Sequence, residues 1–366
     1  MSETIVVKIG SNILASEKGL NEKTIEQLAW DISAAHDEGY DMVVVSSGAV
    51  AAGRYKLSIE GRIRDINLKQ AVAAVGQSSL VWAYEKAFGA FGKKVAQVLL
   101  TRDVFSDRKR FINAGNTLNT LLSLKVIPII NENDTVSVEE LKFGDNDMLA
   151  ALVATLLNAS KLIILSDIDG LYTADPRKNS KAELIGEVAE ITDEIEALAG
   201  GAGTISGTGG MYSKVKAAKI ATAHGVTVTI INGKKSGQLA SVLRGGTAFG
   251  TTFAAKAKKH GARKSWIASY LHTRGSVCLD EGAAKAVVSN GKSLLPSGVR
   301  SIEGSFERGD AVYCITLDGK KIAKGIVNYG SSELLRIAGH KTSEIEGLLG
   351  YKYSDEIIHR NNLTLL

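Results

Sequence analysis

Five short stretches of this chain combine charge-handling residues with small residues that let a ligand approach the backbone. The first is Lys8-Ile9-Gly10-Ser11-Asn12. A lysine within the apolar run Ile5–Ile9 is costly to bury unless its charge is used. Its functional reading is a cation for phosphate oxygens; the plain one is a lysine emerging at a strand end. The second is Ser46-Ser47-Gly48-Ala49-Val50-Ala51-Ala52-Gly53, small residues between a strand and a helix. Amides exposed there bind anions, although the same residues suit tight helix packing. The third and fourth, Asn131-Glu132-Asn133-Asp134 and Phe143-Gly144-Asp145-Asn146-Asp147, bring together four carboxylates and three amides. Asp145 as a helix N-cap and a polar turn account for only one or two of them. The amides suit the amino and carboxylate groups of an amino acid, and the acids suit orienting lysines or magnesium. The fifth, Thr208-Gly209-Gly210-Met211-Tyr212-Ser213-Lys214, closes the glycine-rich stretch Gly200–Gly210. Its amides can wrap phosphates, with Lys214 beside them in a first helical turn; the plain alternative is a surface loop with a solvated lysine.

Other nucleotide and hydrolase signatures are missing. There is no G-x-x-x-x-G-K-[ST] loop, no protein-kinase set, no G-x-S-x-G elbow and no Cys/His cluster. None of the six histidines falls in the five stretches. A carboxylate acceptor is already ionised at neutral pH and needs no general base. Lysines, a metal and backbone amides would answer the repulsion between two anions and place them in line.

The elements that must position these residues are legible. Six short runs rich in Val and Ile, Ile5–Ile9, Met42–Val45, Val95–Leu100, Val126–Ile130, Leu162–Leu165 and Val226–Ile231, read as strands buried on both faces of a parallel sheet. Helical spacing separates them at Glu22–Asp37, Leu68–Phe88, Arg108–Leu124, Asp145–Leu157 and Met211–His224. Strand–helix alternation predicts an α/β sandwich, with the five stretches at strand ends, where such sheets bind ligands.

The texture changes near Phe253. Residues 254–264 carry five basic side chains and no acidic one, and read as an exposed linker. Short strand-like runs follow at Ser276–Leu279, Ala311–Thr316 and Lys321–Val327, with turns at Asn290-Gly291 and Asp318-Gly319.

The 366 residues suit two domains, and 45% apolar content suffices for a core. Two cysteines give no disulfide framework and read as small hydrophobes. No secretory signal and no spanning apolar run is visible, so a cytoplasmic place without membrane contact is expected. The net charge of +5 fits an anionic substrate but is diffuse.

In this order and spacing the motifs resemble the amino acid kinase family, and within it the glutamate 5-kinase branch. Ser166–Pro176 is similar to that family's nucleotide-side loop, and the tail from about Arg274 to Tyr353 is similar to a PUA domain. The resemblance implies a three-layer αβα sandwich around a mainly parallel sheet, followed by a small mainly-β domain. The implied divisions are a catalytic domain at 1–253, a basic linker at 254–273 and a PUA-like domain at 274–366. It also implies ATP-dependent phosphorylation of the side-chain carboxylate of L-glutamate to L-glutamyl 5-phosphate, the opening step of proline biosynthesis. By the same resemblance Lys8 and Lys214 stabilise the transferring phosphoryl group, and Asp147 orients the lysines or Mg2+. Ser47, Gly48, Asp134 and Asn146 bind glutamate. Lys8, Ser166, Asp167, Thr208, Gly209, Gly210, Met211, Tyr212, Ser213 and Lys214 contact ATP, and no metal ligand is assigned to a protein side chain. Proline as feedback inhibitor, glutamate-5-semialdehyde dehydrogenase as downstream partner and a homo-oligomer are family expectations. Ser46 and Ser166 stand where relatives carry threonine and keep the hydroxyl; Asn12 is a less familiar choice.

Two other readings compete. PUA modules commonly bind RNA, yet residues 270–366 hold twelve basic and eleven acidic residues, too even for a basic stacking face. RNA binding is therefore not expected as the main function. Another kinase of the same fold, acting on aspartate, N-acetylglutamate, carbamate or UMP, is disfavoured by the paired Asn-Glu-Asn-Asp and Gly-Asp-Asn-Asp motifs and by the tail.

Overall fold

In a computed structural model of the chain, the described residues are 2–16, 19–61, 63–101, 103–137, 146–200, 210–246, 249–255 and 273–366. The chain divides into two compact units, Met1–Val104 with Arg108–Lys258, and Phe105–Asp107 with Lys259–Leu366.

The strands of the first unit, in chain order, begin with β1 (Thr4–Ile9). The short pair β2 (Ala15–Ser16) and β3 (Gly19–Leu20) follows. Then come β4 (Asp41–Ser46), β5 (Lys94–Leu100), β6 (Val126–Glu132), β7 (Lys161–Ser166), β8 (Glu187–Val188), β9 (Thr227–Asn232) and β10 (Thr251–Phe253). Eight of them form one sheet in the order β5-β6-β4-β1-β7-β9-β10-β8. Only the β9–β10 pairing is antiparallel. In β1, β4, β7 and β9 every residue but the first is buried, as continuous apolar strands covered on both faces must be. β5 lies at the edge and leaves Leu99 exposed.

In chain order the helices up to residue 243 are α1 (Ser11–Leu14), α2 (Glu22–Asp37), α3 (Ala49–Lys56), α4 (Ile66–Gly89), α5 (Asp103–Ser106), α6 (Arg108–Ser123), α7 (Asn146–Leu156), α8 (Asp193–Leu198), α9 (Met211–Ala223) and α10 (Gln238–Leu243). One core layer joins Ile5, Val7 and Ile9 of β1 to Leu28 and Ile32 of α2, Tyr84 and Phe88 of α4, and Leu239 of α10. Side chains alternate along a strand, so Val6 and Lys8 face the other layer, where α7 packs on β1 and on α9. Lys8 therefore points toward α7 by strand geometry alone.

α3 and α4 cross in close contact through two glycines. A Cβ on Gly76 would stand 1.8 Å from the Ala49 carbonyl oxygen, and one on Gly53 would stand 1.9 Å from that of Val72. The small-residue stretch that opens at Ser46 thus serves helix packing at its Gly53 end.

The second unit contains β11 (Thr273–Leu279), α11 (Glu281–Val288), β12 (Val299–Gly304), β13 (Ala311–Ile315), β14 (Lys321–Ile326), α12 (Ser331–Ile337), α13 (Ile345–Leu349) and β15 (Leu363–Leu365). Its sheet runs β12-β11-β13-β14-β15, parallel only between β11 and β13. The predicted Asp318-Gly319 turn joins β13 to β14, with Gly319 at a φ of 81° that favours glycine. Cys314 lies fully buried in this core, and burial pushes its thiol up to about 12. Both cysteines are free thiols. Among the described residues no helix is long and apolar enough to cross a membrane.

The motif residues Phe143, Gly144 and Asp145, the loop residues Thr208 and Gly209, and most of the expected linker, 256–272, lie outside the described residues.

Candidate active site

The site gathers at the C-terminal ends of β1, β4, β6 and β7 and at the first turns of α7 and α9. Asp147 is the second residue of α7 and is wholly buried. A carboxylate is stabilised there by the positive end of the helix. Lys214, in the first turn of α9, is disfavoured by the same helix polarity and is 95% buried, so its charge has to be answered. Lys214 Nζ lies 3.0 Å from Asp147 Oδ2. Lys8 Nζ forms a second ion pair with Asp147 Oδ1. Ser213 Oγ donates to Asp147 Oδ2 at 3.0 Å. One buried carboxylate thus holds two ammonium groups from separate elements.

The residue before Asp147 faces the other way. Asn146 Nδ2 donates to the Ser46 carbonyl at 2.9 Å, to Ser47 Oγ at 3.0 Å and to Asn131 Oδ1 at 2.9 Å. The adjacent pair Asn146–Asp147 therefore joins the Ser46–Gly48 turn to the two lysines. Gly48 caps α3 with a φ of 111°, which L side chains rarely adopt, so a glycine is required for this turn. Ser46 is fully buried, and its Oγ lies 2.8 Å from the hydroxyl of Tyr84.

Asp134 sits half-buried in the turn after β6. Among the described residues it makes no hydrogen bond to Ser47 or Asn146. Burial pushes its carboxyl up, with Lys69 pulling the other way.

On the far side of β1, Ser166 ends β7, buried, and Asp167 follows it, exposed. Asn12 Nδ2 donates to Asp167 Oδ2 at 3.0 Å, tying α1 to the loop after β7. Gly10 packs between them: a Cβ on it would come within 3.2 Å of the Leu165 carbonyl oxygen. Gly210 caps α9, and Met211, Tyr212 and Ser213 are half-buried in its first turn.

Sequence reasoning passed over a second cluster on that side. Lys235 Nζ lies 2.6 Å from Asp169 Oδ1, Asn232 Nδ2 donates to the same oxygen at 3.1 Å, and the Tyr172 hydroxyl donates to Asp169 Oδ2 at 3.1 Å. The Lys235 hydrogen bond leads in holding the Asp169 carboxyl below its ordinary value. Asp169 stood within a recognised loop, but nothing near Lys235 in sequence announced the pairing.

The chain belongs to the amino acid kinase family, whose profile matches residues 3–232. The PUA domain profile matches residues 275–349. Among curated relatives, the glutamate 5-kinase of Geobacter sulfurreducens is 51% identical over 363 residues, covering 99% of this chain and 97% of the relative. That of Syntrophotalea carbinolica is 50% identical over 361 residues, covering 99% and 96%. That of Caldanaerobacter subterraneus subsp. tengcongensis is 50% identical over 363 residues, covering 99% and 97%.

Proposed function

We propose that this protein transfers the γ-phosphoryl group of ATP to the side-chain carboxylate of L-glutamate, giving L-glutamyl 5-phosphate and ADP, the first step of proline biosynthesis from glutamate. The observation that carries this reading is the Asn146–Asp147 junction. One residue reaches the Ser46–Gly48 turn, and the next holds Lys8 and Lys214. An acceptor seated by the turn and by Asn146 would meet a phosphoryl group held by the lysines.

The residues fit a nucleoside triphosphate. Lys8 and Lys214 supply two fixed positive charges, and the α9 N-terminus supplies amides. Their task is to spread the charge that builds on the phosphoryl oxygens while two anions approach in line. Asp147 keeps the two ammonium groups in place as the nucleotide comes and goes. Both Asp147 oxygens face lysines, and among the described residues no group of three or more His, Cys, Asp or Glu side chains converges on one point. Mg2+ bound with the nucleotide would neutralise part of its phosphate charge. The acceptor carboxylate is its own nucleophile, so no general base is required.

Ser47, Gly48, Asp134 and Asn146 would hold glutamate. Ser166, Asp167 and the stretch Thr208–Lys214 would hold ATP. The catalytic domain would span 1–253 and the PUA-like domain 274–366, with 254–273 between them. The same reading carries proline as feedback inhibitor, glutamate-5-semialdehyde dehydrogenase as the consumer of the labile product, a homo-oligomer and a cytoplasmic setting. The near-even charge of residues 270–366 favours no RNA role as main function.

The reading is tested by ADP release with ATP, Mg2+ and hydroxylamine, comparing L-glutamate with L-aspartate, N-acetylglutamate, carbamate and UMP. Hydroxamate formation that depends on glutamate supports it. Turnover with another acceptor keeps the fold and refutes the substrate.

A further inference from the structure

Helix α4 meets the acceptor side at three points. Gln70 Nε2 donates to the Ser137 carbonyl at 3.0 Å, Gln77 Oε1 accepts from Asn131 Nδ2 at 2.7 Å, and the Tyr84 hydroxyl lies 2.8 Å from Ser46 Oγ. The three residues recur every seven positions, close to two helical turns, so they share one edge of the helix. That edge supports the loop after β6, the Asn131 amide and the Ser46 turn together.

The polarity of the middle link is set by a backbone group. The Ser46 carbonyl can only accept, so Asn146 must turn its NH2 toward it. The same NH2 donates to Asn131 Oδ1. Asn131 is left to offer its own NH2 to Gln77, which answers with its carbonyl oxygen. Asn146 Oδ1 is then turned away from these partners, and among the described residues no donor reaches it. Asn131 is only 3% exposed, so water cannot readily replace Gln77. Without that acceptor, the Asn131 NH2 stays buried and unpaired, or its amide flips and sets two NH2 groups against each other.

We propose that Gln77 is a positioning residue of the acceptor site: through Asn131 it fixes the Asn146 amide so that Oδ1 receives the ammonium group of the acceptor amino acid. This rests on the glutamate reading above. A carbonyl oxygen facing an ammonium discriminates an amino acid from the dicarboxylate of the same length that lacks the amino group.

The test is steady-state kinetics of Gln77→Met, nearly the same size but without the acceptor oxygen, with L-glutamate and with glutarate. The expected result is a rise in KM for glutamate of roughly tenfold, the scale of one buried hydrogen bond. KM for ATP stays unchanged, and the preference for glutamate over glutarate in kcat/KM falls by a similar factor. In an Asn131→Ala background the same substitution adds nothing further, because Gln77 acts through Asn131. If Gln77→Met does not fold, Gln77→Glu, which keeps an oxygen at that place, carries the test. Its glutamate-over-glutarate preference stays at or above the wild-type value, and a tenfold fall overturns the proposal. Unchanged KM and unchanged preference in folded Gln77→Met also overturn it. Wild-type protein idle with glutamate contradicts the acceptor reading itself, and this inference with it; a wild type active on glutamate leaves only the role of Gln77 in question.

Discussion

Lys214 Nζ and Asp147 Oδ2 stand 3.0 Å apart although 67 residues separate them in the chain. Each lies in the first turn of its helix, and each is nearly or wholly buried. The helix polarity favours the carboxylate and disfavours the ammonium. A lysine placed against that polarity and out of water is retained for its charge, and the carboxylate between it and Lys8 is what makes the placement tolerable.

Lys214→Ala removes a cation from the phosphoryl side while Lys8 still answers Asp147. Turnover should fall by roughly 10²–10³-fold, the cost of deleting one preorganised charge-stabilising group. Circular dichroism and the unfolding midpoint should show a folded protein. A variant with near-normal kcat would remove Lys214 from the chemistry.

Asp147→Asn acts differently, because it leaves Lys8 and Lys214 buried without the shared counter-charge. Breaking one side of a buried ion pair costs roughly 3–5 kcal/mol. Denaturant unfolding should therefore show Asp147→Asn to be clearly less stable than Lys214→Ala. Equal stabilities would contradict the electrostatic account of the cluster.

Two glycines of α4 should respond in opposite directions. Gly76→Ala drives a Cβ into the Ala49 carbonyl at the α3–α4 crossing and should destabilise by about 1–3 kcal/mol or more. Gly89, the last residue of the same helix, has open space around a Cβ. Gly89→Ala should stabilise by about 0.4–1 kcal/mol through the unfolded chain. Urea midpoints of the two variants decide the matter.

Burial raises the Asp134 carboxyl in the folded state. Folding therefore favours its protonated form: the benefit is full below the unfolded pKa and is lost as pH rises through the folded one. Above the ordinary carboxylate range the native state bears the cost of a carboxyl that burial favours as neutral. Asp134→Asn should thus be more stable than the wild type at pH 7, with the gap closing as pH falls toward the ordinary carboxylate range. It should bind glutamate worse, as expected where a site trades stability for function. A destabilised Asp134→Asn at pH 7 would contradict this.

The periodic parts of the fold were legible because both faces of the inner strands are buried, and such strands read as unbroken Val/Ile runs. Glu22–Asp37 was read to the residue, and the inner strands to within two. The pairs β8 and β10 were not read, being two and three residues long at the sheet's far edge. In the second unit, β12 escaped because it is mostly exposed and alternates polar residues. The motifs of the site were legible as dense polar residues at strand ends. Its supports were not. Gln77 and Tyr84 look like ordinary residues of a long, largely apolar helix, and their partners lie 54 and 38 residues away. Lys235 was hidden for the same reason. Local sequence shows which residues are costly to bury, but only the packed chain shows what answers them.

The central claim, transfer to the side-chain carboxylate of glutamate, is tested most directly by identifying the trapped product. Glutamate has two carboxylates, and hydroxylamine converts whichever is phosphorylated into a hydroxamate. Fragmentation by mass spectrometry distinguishes the two. The structure-based account predicts the side-chain hydroxamate in proportion to ADP released, and its loss in Lys214→Ala. The α-carboxyl hydroxamate, or ADP release with no hydroxamate at all, would contradict it.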